Sequence, residues 1–217
     1  IGGAYTARST ISVMKQFTPV RTIEDAKRTE VIVAAGGKAS QPYMHPTLAN
    51  ALLGTKFKLV MGYPGTGAMN IAMERGEVHG RAGSWNSFKG SKPYWVEQDL
   101  LANLVVIGLD REPDLPKVPL MTELITDPAD RLLMEVVAST ALFAHVWLAP
   151  PGVPADRVAA LREAFAKTLN DPELIAQMKK RRAELDFISW RQLHDAVEKQ
   201  LKVDKKSIER LRAILDL

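Results

Sequence analysis

The segment Ala35-Gly-Gly-Lys-Ala-Ser-Gln-Pro42 combines the residue types of an anion-binding loop. It joins a β-branched run to a helix-like stretch, and the free N–H groups and dipole of a helix start favour an anion. The glycine pair would let the backbone approach a ligand, Ser40 could add a hydroxyl and cap the helix, and Lys38 could add positive charge. The alternative is an ordinary strand-to-helix turn, because the spacing matches neither a dinucleotide-binding motif nor a P-loop.

A second glycine-rich segment, Gly62-Tyr-Pro-Gly-Thr-Gly67, follows the next strand-like run. Open α/β sheets bind ligands at the carboxyl ends of their strands. Tyr63 could therefore offer a hydroxyl or a ring, while Thr66 and Gly67 could offer backbone amides. A Pro-Gly turn with Thr66 as the helix cap would explain the same residues without a ligand.

The third segment, Gly80-Arg-Ala-Gly-Ser-Trp85, places one cation near the end of a strand-like run. Arg81 could bind a carboxylate through two parallel hydrogen bonds. A surface salt bridge is the alternative for Arg81, and Trp85 is expected to pack against other residues rather than to line a pocket.

Enzymatic chemistry finds little support in the sequence. The four histidines share no metal-ligand spacing, cysteine is absent, and no Gly-x-Ser-x-Gly nucleophile motif occurs. His45 is expected on a solvated helix face, while His79 and His145 border strand-like runs. We therefore expect a protein that is not an enzyme and that uses neither a cofactor nor a metal ion.

The composition is that of a globular protein with a preference for anionic partners. The chain has 217 residues, of which 46% are hydrophobic and 25% charged, with a net charge of +4. No apolar run approaches the roughly 20 residues that a membrane helix needs. Aromatic residues make up only 6% of the chain, so no nucleic-acid partner is expected, and the basic cluster at positions 179–182 is assigned to the end of a helix.

Strand-like and helix-like segments alternate over the first two-thirds of the chain, which indicates βαβ units, a parallel or mixed sheet and an α/β fold. We expect the sheet to be mostly parallel. The predicted strands span residues 9–15, 30–35, 56–61, 78–82 and 103–109. The predicted helices span residues 22–28, 42–53 and 68–75.

The chain changes character after Pro150, where amphipathic helical segments follow one another. Sequence supplies only one strand nearby, at residues 145–149, and amphipathic helices need a layer on which to bury their apolar faces. We therefore expect that part of their platform lies in residues absent from this chain.

Several stretches, in this order, resemble the Bug family, the TctC-like receptors of tripartite tricarboxylate transporters. They are Thr22-Ile-Glu-Asp-Ala-Lys27, the loop at 36–40, Leu53-Gly-Thr-Lys-Phe-Lys-Leu-Val-Met-Gly-Tyr-Pro-Gly65, Ala72-Met-Glu-Arg-Gly-Glu-Val-His-Gly80, Ala149-Pro-Pro-Gly-Val-Pro-Ala-Asp-Arg157 and Leu161-Arg-Glu-Ala-Phe165.

The resemblance implies a two-lobed, periplasmic-binding-protein-like (Venus-flytrap) receptor in the periplasm that captures a small carboxylate and passes it to the membrane subunits of the transporter. A receptor-fold sensor or interaction protein without a transport role is the alternative. Carried onto this chain, the ligand-binding residues would be Gly36, Gly37, Lys38, Ala39, Ser40, Gln41, Tyr63, Pro64, Gly65, Thr66, Arg81 and Ser84.

The same resemblance implies a division of the chain into lobes. Residues 1–12 would be a crossover segment and residues 13–143 the second, ligand-binding lobe. Residues 144–217 would supply a crossover strand and the helices of a truncated first lobe. Those helices would leave apolar surface exposed, so we expect the chain to self-associate.

Overall fold

The structure is a computed structural model that describes residues 1–181 and 183–217. Arg182, the last residue of the basic cluster, lies outside the described residues. The chain forms two compact units. We call Ile1–Ala7 with Ser139–Val203 the small unit, and Arg8–Ala138 with Asp204–Leu217 the large unit.

The element order confirms the predicted α/β class. The strands are β1 (Gly2–Gly3), β2 (Ser9–Met14), β3 (Val31–Ala34), β4 (Phe57–Val60), β5 (Gly80–Ser84), β6 (Leu101–Ile107), β7 (Val146–Trp147) and β8 (Ile188–Ser189). The helices are α1 (Ile23–Arg28), α2 (Gln41–Leu53), α3 (Thr66–Glu74), α4 (Trp85–Ser91), α5 (Pro93–Glu97), α6 (Met121–Leu124), α7 (Pro128–Ser139), α8 (Ala155–Leu169), α9 (Pro172–Lys180), α10 (Trp190–Leu201) and α11 (Lys205–Leu215), with a 3₁₀ turn at Thr140–Phe143.

The large unit contains a five-stranded sheet in the order β4-β3-β5-β2-β6. β3 runs parallel to β4 and β5, whereas β2 runs antiparallel to β5 and β6. The sheet is therefore mixed rather than mostly parallel. All six residues of β2 are buried, so β2 has the continuous buried run of a parallel strand, and its sequence could not reveal its direction.

Local signals fix the ends of the helices beside this sheet. Thr22 and Asp25 form a capping box at the start of α1, with the Asp25 N–H donating to Thr22 Oγ1 over 3.2 Å. Gly54 ends α2 in the left-handed region at φ 71°, which a residue with a Cβ adopts only at a cost.

Two hydrophobic clusters fill the large unit. One includes Ile11 and Val13, and the other includes Met14 with Phe88 and Trp95. Because neighbouring strand residues point to opposite faces, the two clusters lie on opposite sides of the sheet. The sheet is thus covered on both faces, and ligand access is left to its ends and loops.

The last helix belongs to the large unit. Leu215 is buried in the cluster that contains Ile11, and Leu211 and Ile214 pack against the same cluster. Asp204 caps α11 as a helix separate from α10, with its carboxylate accepting from the Ser207 N–H over 2.9 Å.

The small unit contains the three-stranded antiparallel sheet β7-β1-β8. The ring of Phe165 on α8 lies against β1, where a Cβ on Gly2 would come within 2.7 Å of it. This close approach explains the glycine. The lobe boundaries 1–12, 13–143 and 144–217 stay a prediction. None of the described helices has the length and apolar character needed to cross a bilayer.

Candidate functional site

Three parallel strands of the large unit end at one edge of the sheet. Ala34 in β3 is the register partner of both Val60 in β4 and Arg81 in β5. The segments that follow these strands therefore start side by side. We call residues 36–41 the glycine loop and residues 63–66 the tyrosine loop.

The two loops are joined through the backbone. The Tyr63 N–H donates to the Ala35 carbonyl over 3.3 Å, and the Ala35 N–H donates to the Val60 carbonyl over 2.9 Å. A Cβ on Gly36 would lie 3.5 Å from the Tyr63 carbonyl oxygen and 3.3 Å from Ser40 Oγ. The structure thus brings the first two predicted segments together.

The glycine loop leaves backbone donors available. Gly37, Lys38 and Ala39 are exposed, and their N–H groups donate to no acceptor among residues 1–181 and 183–217. A turn closes the loop, since the Ser40 N–H donates to the Gly37 carbonyl over 2.9 Å. Free amides before the first turn of a 13-residue helix are suited to an anion.

Ser40 occupies the N-cap position of α2, but its side chain makes no cap hydrogen bond. Its Oγ is buried and has no hydrogen-bond partner in the part of the chain that the structure describes. We expected this hydroxyl to cap the helix. A buried hydroxyl without a partner costs about 1–3 kcal/mol, so a hydrogen bond from Ser40 to a bound molecule would be favourable.

Lys38 has a partner that the sequence did not indicate. Its ammonium group donates to the carboxylate of Asp216 and, over 2.9 Å, to the Asp216 carbonyl oxygen. The side-chain hydrogen bond raises the pKa of Lys38 and lowers the pKa of Asp216. The two residues are 178 positions apart, and no local signal could have connected them.

The tyrosine loop leads into α3. Tyr63 is half-buried, whereas Pro64, Gly65 and Thr66 are exposed. The helix starts at Thr66 with Gly65 as its N-cap, and no side chain caps it. Thr66 is therefore not the cap that one interpretation of the sequence proposed, and the first amides of α3 meet no capping side chain.

Arg81 lies inside the protein, with only 1% of its surface exposed. Its guanidinium group donates to Asn70 Oδ1 over 2.8 Å, to the Ala82 carbonyl over 3.3 Å and to Ser87 Oγ over 3.4 Å. The group also stacks 3.8 Å above the Phe88 ring. The surface salt bridge considered for Arg81 is therefore wrong.

Burial lowers the pKa of Arg81 to about 10, so the side chain is still charged at neutral pH. Within the described residues, no carboxylate oxygen lies within 4.0 Å of this guanidinium group. The sequence did not indicate Asn70 and Ser87, which hold the group in place, because a buried arginine with uncharged partners has no local signature.

Ser84 caps α4, with its Oγ accepting from the Ser87 N–H over 3.2 Å. The hydroxyl is thus engaged with its own helix, although it can still donate one hydrogen bond. Trp85 is buried, and its indole N–H donates to Asp114 over 3.1 Å. The prediction that Trp85 packs rather than lines a pocket agrees with this position.

The expectation that His45 is solvated is wrong. His45 lies on the inward face of α2 with Leu48 and Ala49, and all three are buried. Burial lowers the pKa of His45 to about 4, and its Nδ1 has no partner among the described residues. His79 instead accepts a hydrogen bond at Nδ1 from the Ile32 N–H over 3.1 Å.

No family model and no curated protein matches this chain. Solved structures do match it in fold. R. palustris Rpa4515 with adipate aligns with a TM-score of 0.60 at 17% identity, covering 100% of this chain and 67% of that one. A TctC solute binding protein from Polaromonas gives 0.66 at 16% identity, covering 100% and 68%.

MatC from Rhodopseudomonas palustris with bound malate aligns with a TM-score of 0.55 at 21% identity, covering 99% of this chain and 69% of that one. The chain thus spans about two thirds of the length of these neighbours. At such identities the likeness concerns the fold. This chain has the fold of the Bug/TctC-like periplasmic solute-binding receptors.

Proposed function

We propose that this chain carries the carboxylate-binding site of a periplasmic solute-binding protein, and that the glycine loop and the tyrosine loop hold the ligand. The observation that carries the proposal is the buried, unpartnered Ser40 hydroxyl beside the free amides of Gly37, Lys38 and Ala39. An anion placed there would satisfy a polar atom that the described part of the protein leaves unpaired.

The chemistry of the site suits a carboxylate. The two oxygens of a carboxylate only accept hydrogen bonds. The site offers hydrogen-bond donors: the loop N–H groups, the Ser40 O–H and the N–H groups of the uncapped first turn of α3. The positive ends of α2 and α3 add partial charge at the same edge of the sheet. Gln41 at the start of α2 and the Tyr63 hydroxyl would contact the rest of the ligand.

The ligand class follows from the donors and from the fold neighbours. Two of the neighbouring structures hold adipate and malate, which are both dicarboxylates. We expect this chain to select a small dicarboxylate, with one carboxylate in the glycine loop.

The role we propose is capture rather than catalysis. The described site contains donors and a buried cation but no nucleophile activated by a base. His45 is neutral and buried. The membrane subunits of a tripartite transporter would be the partners, and differential affinity of the ligand for the closed state would drive closure.

The test is calorimetric titration of adipate and malate into the protein expressed from its complete gene. We expect binding that Ser40→Ala weakens by about tenfold, corresponding to one hydrogen bond to a charged group. Thr47→Ala is the control, because the Thr47 hydroxyl lies in the same helix and already donates to the Tyr43 carbonyl over 2.8 Å. Equal affinity of wild type and Ser40→Ala would refute the proposed site.

A further inference from the structure

Arg81 differs from the other cations of the large unit in being buried without a carboxylate. Its described partners are an amide oxygen, a carbonyl, a hydroxyl and an aromatic ring. These partners satisfy guanidinium N–H groups but leave the charge uncompensated. Taking a charge out of water is unfavourable unless an opposite charge approaches it.

The guanidinium group points along β5 towards the end of the strand. A Cβ on Gly83 would lie 2.3 Å from Arg81 Nη1, so Gly83 is needed to make room for the group. Arg81 is the register partner of Ala34 on the neighbouring strand. Gly83 and Gly36 each lie two residues further along the chain from these partners. Neighbouring strands lie about 4.8 Å apart, so the charge lies near the start of the glycine loop.

The residues that contact Arg81 lie in helices that begin at the ligand-binding end of the sheet. Asn70 lies on α3 next to Met69, and Met69 Cε would be 3.6 Å from a Cβ on Gly36. Ser87 lies in the first turn of α4, whose N-cap is Ser84. The cation is therefore enclosed by the elements that begin at the binding edge, and water does not screen it there.

We infer that Arg81 is the fixed countercharge of the ligand site, which attracts the carboxylate from the neighbouring strand β5 without touching it. The inference rests on the proposed function, since it assigns a role to Arg81 at that same site. Arg81 would then set the requirement for charge: a carboxylate is bound and its neutral amide is rejected. The loop donors alone would distinguish these two ligands less strongly.

The experiment compares variants that separate charge from hydrogen bonding. Arg81→Gln keeps a donor but removes the charge, and Arg81→Lys keeps the charge but removes the planar group. We expect Arg81→Gln to weaken malate binding by about tenfold or more, and Arg81→Lys to stay within about threefold of wild type. The preference for malate over its diamide should fall in Arg81→Gln.

Arg21→Gln is the matched control, because the Arg21 guanidinium donates to backbone carbonyls, those of Lys15, Thr18 and Val20. Its malate affinity should equal that of wild type. The inference is overturned if Arg81→Gln binds malate as wild type does, or if Arg81→Lys loses as much affinity as Arg81→Gln. A wild-type protein that binds no carboxylate at all would instead overturn the proposed function.

Discussion

The glycine loop depends on one position where a side chain would fill the space beside a hydroxyl. A Cβ on Gly36 would meet Ser40 Oγ at 3.3 Å, while a Cβ on Gly37 would meet nothing within 4 Å. Neither glycine has a positive φ. Substituting each glycine in turn therefore distinguishes the effect of a methyl group close to Ser40 from the effect of reduced backbone freedom.

We expect Gly36→Ala to fold with a stability change of about 1 kcal/mol or less, since its new contacts are tight but not forbidden. The methyl group should nevertheless weaken dicarboxylate binding by about tenfold, because it covers the Ser40 hydroxyl. Gly37→Ala should bind nearly as wild type. Calorimetric titration of both variants checks this, and equal effects at the two positions would contradict it.

His45 makes the stability of the large unit dependent on pH. The pKa of its imidazole is about 4 in the folded protein against 6.5 for the unperturbed group. Between these values the unfolded chain binds a proton that the folded chain does not, so stability is retained above pH 6.5 and falls as the pH drops towards 4. The full shift corresponds to about 3 kcal/mol.

We expect His45→Leu to flatten this dependence when urea unfolding is measured at neutral and at mildly acidic pH. Because Nδ1 of His45 has no described partner, the apolar side chain leaves no group unpaired. His194→Gln is the control for replacing a histidine, since His194 is exposed. A His45→Leu profile as steep as that of wild type would assign the pH dependence to other groups.

Among the helices, α11 supports the glycine loop. α11 packs on the large unit through Leu211, Ile214 and Leu215. The Tyr43 hydroxyl donates to the Leu215 carbonyl over 3.2 Å. The same end of α11 carries Asp216, which holds Lys38. The helix therefore links the hydrophobic core to the glycine loop.

We expect Leu215→Ala to destabilise the large unit by about 2–4 kcal/mol, because it leaves a cavity in the core. Leu217→Ala should change stability by less than about 0.5 kcal/mol, since Leu217 is 62% exposed. Urea unfolding followed by circular dichroism measures both. Equal and small effects would mean that α11 does not pack as described.

The sequence predicted the helices whose ends carry capping residues. The Thr22 capping box at the start of α1 and Gly54 after the end of α2 are such signals, and they lie at ends of the helices predicted at residues 22–28 and 42–53. The direction of β2, the docking of α11 and the burial of Arg81 depend instead on distant residues. No pattern in a short window of sequence contains that information.

Part of the candidate site could likewise be predicted from the sequence, and part could not. Its two loops follow adjacent strands, and the preference of ligands for the carboxyl ends of parallel strands is enough to expect both loops at one edge. The partners that tune them, Asp216 for Lys38 and Asn70 for Arg81, come from other parts of the chain. Such long-range pairing of polar groups leaves no signal in the local sequence.

The small unit leaves large apolar side chains in contact with solvent. Trp147 is 50% exposed, Leu201 75% and Leu148 81%. We expect association that grows with protein concentration, because such surface favours pairing. Light scattering of wild type and of Leu148→Glu combined with Leu201→Glu tests this. A wild-type monomer at high concentration would contradict it.

Ligand capture by this site depends on a carboxylate meeting the free amides of the glycine loop. The most direct test is a nuclear magnetic resonance titration of the ¹⁵N-labelled protein with malate, following the backbone amides. We predict that the amide protons of Gly37, Lys38 and Ala39 shift downfield together and saturate with one ligand. Saturable binding that leaves these three amides unmoved would mean that the carboxylate does not bind at the glycine loop.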